Sequence, residues 1–187
     1  MNCSLNQYNR PMEEKSYKEQ LHTINTFIFD IDGVLTDGTV MVTTSGEMLR
    51  RMNIKDGFAL KTAIDKGFNV CTISGGSNEG VRKRLEGLGV QDVYLGAHNK
   101  IDQLKDYMSK KDIRLENVLY MGDDIPDLPV MKLVGLPCCP QDAAPEIKAI
   151  CNYVSHKNGG MGAVRDVIEQ VLKVQDQWDG SFDAKYD

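Results

Sequence analysis

The feature that most constrains this chain is a steady alternation of short apolar runs with helical segments between residues 26 and 174. The run Thr26-Phe-Ile-Phe-Asp-Ile31 is β-branched and aromatic, and it reads as a buried strand. Similar runs at 68–73, 92–95 and 117–121 read the same way, with shorter strands near Leu136 and Tyr153. Between them, the pattern predicts helices over 56–66, 79–88, 99–110, 127–133, 144–149 and 163–174. Asp56 is suited to cap the first of these and Gly67 to stop it. Strands and helices alternating at this length imply βαβ units, so the expected fold is α/β: a three-layer, Rossmann-like core on a mostly parallel sheet. One stretch departs from that scheme. Residues 39–43 and 48–54 flank a turn around Gly46 and predict a protruding β-hairpin.

Composition narrows the partners. The chain has 187 residues, 41% hydrophobic and 26% charged, which suits one domain able to bury roughly 70% of its unfolded surface. With 22 basic and 27 acidic side chains the net charge is −5, and no Lys/Arg stripe exists to follow a phosphate backbone, so no nucleic acid partner is expected. No stretch approaches the about 20 apolar residues of a membrane span, and the polar start does not read as a signal peptide. Five cysteines lack ligand-like spacing, and the adjacent Cys138-Cys139 pair is not a Cys-x-x-Cys motif, so reduced, buried thiols of a cytoplasmic protein are expected. Residues 1–22 read as an N-terminal arm in which Pro11 can open a short helix, 23–175 as the domain, and 176–187 as a fraying tail.

Parallel sheets bind ligands beyond the carboxyl ends of their strands. Four such ends here carry chemistry-bearing residues. The first strand runs into Asp30-Ile31-Asp32-Gly33. A buried carboxylate is costly unless paired or metal-bound, and a divalent cation offsets the repulsion of two. The 68–73 strand runs into Ser74-Gly75-Gly76, where a hydroxyl and exposed N–H groups suit a phosphate oxygen, although the same residues also make ordinary turns. The 92–95 strand leads to Lys100, a cation opening a helix at the end that favours negative charge, as if to neutralise a phosphate or an aspartate. The 117–121 strand ends in Gly122-Asp123-Asp124-Ile-Pro-Asp127, an oxygen-rich nest for a hard cation such as magnesium.

Asp-x-Asp, then Ser, then Lys, then Gly-Asp-Asp-x-x-Asp, each after a strand, resembles the haloacid dehalogenase-like phosphohydrolases, and the likeness spans residues 26–172. It implies that Asp30 is a nucleophile forming an aspartyl-phosphate and that Asp32 is the general acid and base. It implies magnesium held by Asp30, the backbone carbonyl of Asp32, and Asp123, with Asp124 and Asp127 ordering the metal's waters or the lysine. Ser74, Gly75 and Lys100 would hold the phosphoryl oxygens.

Only a hairpin and one helix fill the stretch from Asp32 to Ser74, and a helix and a strand fill that from Ser74 to Lys100, so no cap domain is expected. This capless pattern is similar to the small tetrameric phosphatases acting on 3-deoxy-D-manno-octulosonate 8-phosphate. Its carriers are Asp32-Gly-Val-Leu-Thr-Asp37-Gly38, Asn53-Ile-Lys-Asp56-Gly57, the Gly122–Asp127 segment and Gly159-Gly-Met-Gly-Ala-Val-Arg165. The resemblance implies a homotetramer with the hairpin at subunit contacts, and Arg84 and Arg165 as candidates for the substrate's carboxylate. The chain departs from it at two places: Gly76-Ser77 and Met161 stand where relatives often carry charged residues. Gly76 and Gly87 stand where phosphatases of nine-carbon sugar acids use Glu and Lys, which favours the eight-carbon substrate and leaves the nine-carbon one as the alternative. Of a different class is a non-catalytic phosphoryl-binding regulator. The intact Asp30, Asp32 and Lys100 argue against it.

Overall fold

The computed structural model describes residues 16–178. In chain order its elements are α1 (Tyr17–Leu21), β1 (Thr26–Phe29), β2 (Met41–Val42), β3 (Met48–Leu49), α2 (Ile54–Asp65), β4 (Asn69–Ile73) and α3 (Glu79–Gly87). There follow β5 (Asp92–Tyr94), α4 (Lys100–Lys111), β6 (Val118–Met121), α5 (Leu128–Met131), β7 (Leu136–Cys139), α6 (Pro145–Lys148), β8 (Tyr153–Val154) and α7 (Ala163–Val174). Six strands form one sheet in the order β5-β4-β1-β6-β7-β8, with every neighbouring pair parallel. β1 lies between β4 and β6, where the strand order reverses, which is where such sheets open a crevice.

Alternation along the strands explains the layers. Phe27 and Phe29 face a core shared with α1, α2, α3 and α7, while Ile28, Cys71 and Tyr120 face α4, α5 and α6. With both faces covered, all four residues of β1 are buried, which is why that run shows no polar alternation. α7 buries Ala163, Val164, Val167, Ile168, Val171 and Leu172 along one stripe, the spacing of an amphipathic helix.

The expected cap of α2 is displaced. The helix starts at Ile54, and Asn53 is the N-cap, its side chain accepting from the Lys55 amide at 2.9 Å. Asp56 is buried in the first turn and accepts instead from the backbone N–H groups of Gly162 (3.2 Å) and Arg165 (2.8 Å) at the start of α7. The N-cap of α7 is Gly162, which has no side chain to serve its own amides, so a carboxylate from the neighbouring helix does it.

The hairpin is present but shorter than expected. β2 and β3 pair antiparallel through Met41↔Leu49 and Val42↔Met48, apart from the main sheet, and a bridge between Thr36 and Met52 ties its base to the loop after β1. Only this hairpin separates β1 from α2, and only α3 separates β4 from β5, so neither connection holds a cap domain. Within the expected arm, residues 17–21 pack on the body. Leu21 is buried, the Tyr17 ring stacks on Tyr153 at 4.9 Å, and its hydroxyl donates to Gln170 at 2.9 Å. At the other end, the Trp178 ring meets Phe58 edge-on at 6.3 Å. The Pro11 helix start, Cys3 and residues 179–187 lie outside the described residues. Cys71, Cys138 and Cys139 are buried free thiols and Cys151 a half-buried one. No helix among the described residues is long and apolar enough to cross a membrane.

Candidate active site

The amide of Asp30 makes the last ladder bond of β1, to the Met121 carbonyl at 3.0 Å. The chain then turns: the amides of Val34, Leu35 and Thr36 all donate to the Ile31 carbonyl at 3.3, 3.0 and 2.9 Å. This turn buries Asp30 in the sheet's mouth and re-aims Asp32 to a half-exposed position. Gly33 adopts a positive φ of 93°, and a Cβ there would strike the Asp123 carboxylate, so glycine is what lets two acidic strand ends meet. The glycine loop at 159–162 packs against this same turn. A Cβ on Gly159 would strike the Gly33 carbonyl, and the Gly160 amide donates to the Val34 carbonyl at 2.9 Å, so it buttresses the acidic turn from behind.

Asp30, Asp123 and Asp127 bring one carboxylate oxygen each to within 4.8 Å of the others. Lys100, at the first position of α4, extends its Nζ to Asp30 Oδ1 (3.1 Å) and Asp127 Oδ1 (2.7 Å). The Tyr120 hydroxyl donates to the same Asp127 oxygen at 2.6 Å, and the Asp123 amide to the other at 3.3 Å. One lysine cannot balance three carboxylates. Burial, then the charge of Asp127, raises the Asp30 carboxyl above its usual range, with Lys100 pulling the other way. Burial, then Asp30 and Asp127, pushes Asp123 up to about 8. Lys100 is held above the usual lysine range by the two aspartates despite the opposing effect of burial. Asp123 Oδ1 is buried with no hydrogen-bond partner. A surplus of negative charge, an orphaned oxygen and an all-oxygen donor set fit a hard divalent cation.

Around this cluster, Asp32 is gripped at two points by Arg50, with Nε donating to Oδ1 at 2.7 Å and Nη2 to Oδ2 at 3.2 Å. Ser74 is buried, and its Oγ accepts from the Gly76 amide at 3.1 Å. A Cβ on Gly76 would lie 3.0 Å from Asp32 Oδ2 and 3.5 Å from Ser74 Oγ, so Ser74 faces the same crevice. Gly75 is exposed at its rim.

Three anticipated residues are not gathered in. Asp124 is exposed ahead of a 3-10 turn (Ile125–Asp127) and outside the carboxylate cluster, whereas Asp127, read as a more distant partner, is inside it. The Arg84 guanidinium lies against Gly57 in the first turn of α2. Arg165 pairs with Glu169 at 3.1 Å and places its guanidinium over the rings of Phe58 (5.6 Å) and Trp178 (5.5 Å). With Met161, Lys55, Lys157 and Lys173 it lines an open groove of about 510 Å³ whose walls include none of the clustered carboxylates. Two participants were not anticipated. Tyr120 was hidden as one more apolar-strand aromatic. Arg50 was signalled only by a charged pair, Arg50-Arg51, interrupting the apolar return strand of the hairpin.

A family model described as haloacid dehalogenase-like hydrolase matches residues 89–168. The chain is 38% identical over 156 residues to the 3-deoxy-D-manno-octulosonate 8-phosphate phosphatase of Salmonella typhi, covering 83% of each. It belongs to that phosphatase family, within the haloacid dehalogenase-like hydrolases. Solved structures agree with this membership. The same-named phosphatase of Yersinia pestis superposes with a TM-score of 0.86 at 32% identity, over 89% of this chain and 90% of that one. The Moraxella catarrhalis phosphatase, solved in complex with magnesium, phosphate and a KDO molecule, gives 0.85 at 29% identity, over 90% and 97%.

Proposed function

We propose that this protein is a magnesium-dependent phosphomonoesterase that hydrolyses 3-deoxy-D-manno-octulosonate 8-phosphate to the free sugar acid and inorganic phosphate. The observation that carries this reading is the buried Asp30–Lys100–Asp127 ion-pair chain beside Asp123, at the crevice of a sheet whose relatives bear that name. Asp30, the Asp32 carbonyl and Asp123 would hold the cation, which supplies counter-charge for the phosphoryl oxygens. Lys100 adds charge to the same oxygens, while its second contact, to Asp127, keeps its long side chain extended. Ser74 and the Gly75 backbone complete the cradle.

A carboxylate oxygen of Asp30 forms a bond to phosphorus as the bond to the leaving alcohol breaks, and Asp32 gives its proton to that departing oxygen. Asp32 then takes a proton from the water that attacks the aspartyl-phosphate, which releases phosphate and restores Asp30. Arg84 and Arg165 remain candidates for the substrate's carboxylate in an assembled oligomer, since neither reaches the crevice within one chain. Exposed Met41, Val42, Met48 and Leu49 support the hairpin as a contact between copies in a homotetramer, and the composition supports a cytoplasmic enzyme.

The test is phosphate release with magnesium from the eight-carbon and nine-carbon sugar-acid phosphates, beside Asp30→Asn. A preference of about 10-fold or more for the eight-carbon substrate is expected, and no turnover by Asp30→Asn. The reverse preference would assign the nine-carbon substrate. Absence of any phosphomonoester turnover by the unaltered protein would remove the enzyme reading.

A further inference from the structure

Hydrolysis asks Asp32 to be in the right place twice, once to deliver a proton and once to collect one. Its own loop does little to hold it there. The strand has ended, the side chain is 34% exposed, and its hydrogen-bonding partner is Arg50, eighteen residues further on and returning from β3. Arg50 engages both carboxylate oxygens with two different nitrogens, a fork that sets the plane of the carboxylate as well as its position.

Arg50 is itself fixed. Its side chain is 8% exposed, and Nη1 donates to the Met48 carbonyl at 3.1 Å. That same carbonyl accepts from Asn78 Nδ2 at 3.0 Å, and Asn78 is the N-cap of α3, directly after the Ser74 turn. On the other side, the bare α-carbon of Gly76 leaves room for the pair, since a Cβ there would lie 3.0 Å from Asp32 Oδ2 and 3.6 Å from Arg50 Nη2. The next residue, Arg51, pairs with Asp37 at 2.7 Å, so the returning hairpin strand is clamped at two points to the loop that carries Asp32.

We propose that Arg50 is a positioning residue for this reaction: through its two-point grip it aims Asp32 at the leaving oxygen, and the hairpin is thereby part of the catalytic apparatus. This rests on the phosphatase reading with Asp32 as proton donor. The proton matters in proportion to the basicity of the leaving group. An alkoxide departs poorly without it, whereas p-nitrophenolate leaves unaided.

The experiment compares kcat/KM, which covers the steps up to departure of the first product, on three substrates with magnesium. They are the sugar-acid phosphate, glycerol phosphate (an alkyl phosphate with no carboxylate) and p-nitrophenyl phosphate. Arg50→Met is expected to lose about 100-fold on both alkyl phosphates and to stay within about 3-fold on p-nitrophenyl phosphate. Asp32→Asn should show the same selectivity, and the double variant should fall no further than Asp32→Asn alone. Arg50→Lys, with one point of contact instead of a fork, should recover part of the loss. Gly76→Ala keeps both charges but crowds them, and it should lose less with the same selectivity. Those two variants carry the comparison should Arg50→Met not fold. Equal losses on all three substrates would overturn the proposal in favour of a structural role, and a loss confined to the sugar-acid phosphate would make Arg50 a substrate-binding group. No turnover by the unaltered protein on any substrate would instead sink the phosphatase reading itself.

Discussion

At the scale of single residues the site is governed by unbalanced charge. Three carboxylates share one ammonium, and burial makes each ionised oxygen costly. With Asp123 raised to about 8, the native state without metal holds an extra proton at neutral pH. The favourable contribution of that neutral carboxyl is complete below the ordinary aspartate range and is lost as pH rises through about 8. Magnesium competes with the proton, so its stabilising effect should grow with pH. Magnesium titrations followed by thermal unfolding at pH 6.5 and 8.5 should give tighter binding at the higher pH. Asp123→Ala should abolish the magnesium-dependent rise in Tm at both. A rise of equal size at both pH values would show Asp123 already ionised at pH 6.5, and one that survives Asp123→Ala would place the cation elsewhere. The carboxylates themselves were legible in the sequence, because aspartates that close apolar strands are conspicuous by their cost. The Tyr120 hydroxyl was not, because an aromatic in a strand is explained equally well by packing.

At the scale of elements the unusual feature is a helix capped by its neighbour. Asp56 of α2 serves the Gly162 and Arg165 amides of α7, and burial raises its carboxyl to about 6 against the pull of those two donors. Asp56→Ala strands two amides at a buried helix start and should cost about 1–3 kcal/mol in urea unfolding at neutral pH. The sign of the pH effect follows from the raised carboxyl. Asp56 contributes most below the ordinary aspartate range, and that extra stability is lost as pH climbs through about 6. The gap in unfolding free energy between the unaltered protein and Asp56→Ala should therefore narrow from pH 4 to pH 7. A gap that widens would show that the two amides outweigh burial in the native state. The sequence pattern found both helices, started α2 two residues late and assigned Asp56 to the wrong one, since an aspartate near a helix start looks like that helix's own cap.

At the scale of the whole molecule, the hairpin exposes apolar side chains on both of its faces, Met41 and Leu49 on one and Val42 and Met48 on the other. Met41 is 70% and Val42 66% exposed, with Met48 and Leu49 opposite them in register. Burying these side chains against other copies would complete an open crevice that has no cap domain of its own. On the proposed homotetramer, the double variant Met41→Glu/Leu49→Glu is expected to give monomers in light scattering that keep their near-ultraviolet circular dichroism. An unchanged oligomer would move the contact to another face, and a monomeric unaltered protein would remove the assembly altogether.

Legible along the chain were the strands of the main sheet, the helices between them and the residues that end those strands. Hydrophobic period and the cost of a buried charge are local properties, read within a few residues of Asp30, Ser74, Lys100 or Asp123. The tertiary structure alone decided which of those ends meet. Lys100 reaches Asp30 and Asp127 only because β1 lies between β4 and β6, and Asp56 finds α7 only because α2 packs beside it. The Arg50 fork on Asp32 exists because a hairpin folds back over the turn after β1, and Arg165 is drawn off to Glu169, Phe58 and Trp178 by the packing of α7. Such pairings are set by the order and crossing of elements, and no pattern local to the chain encodes that order.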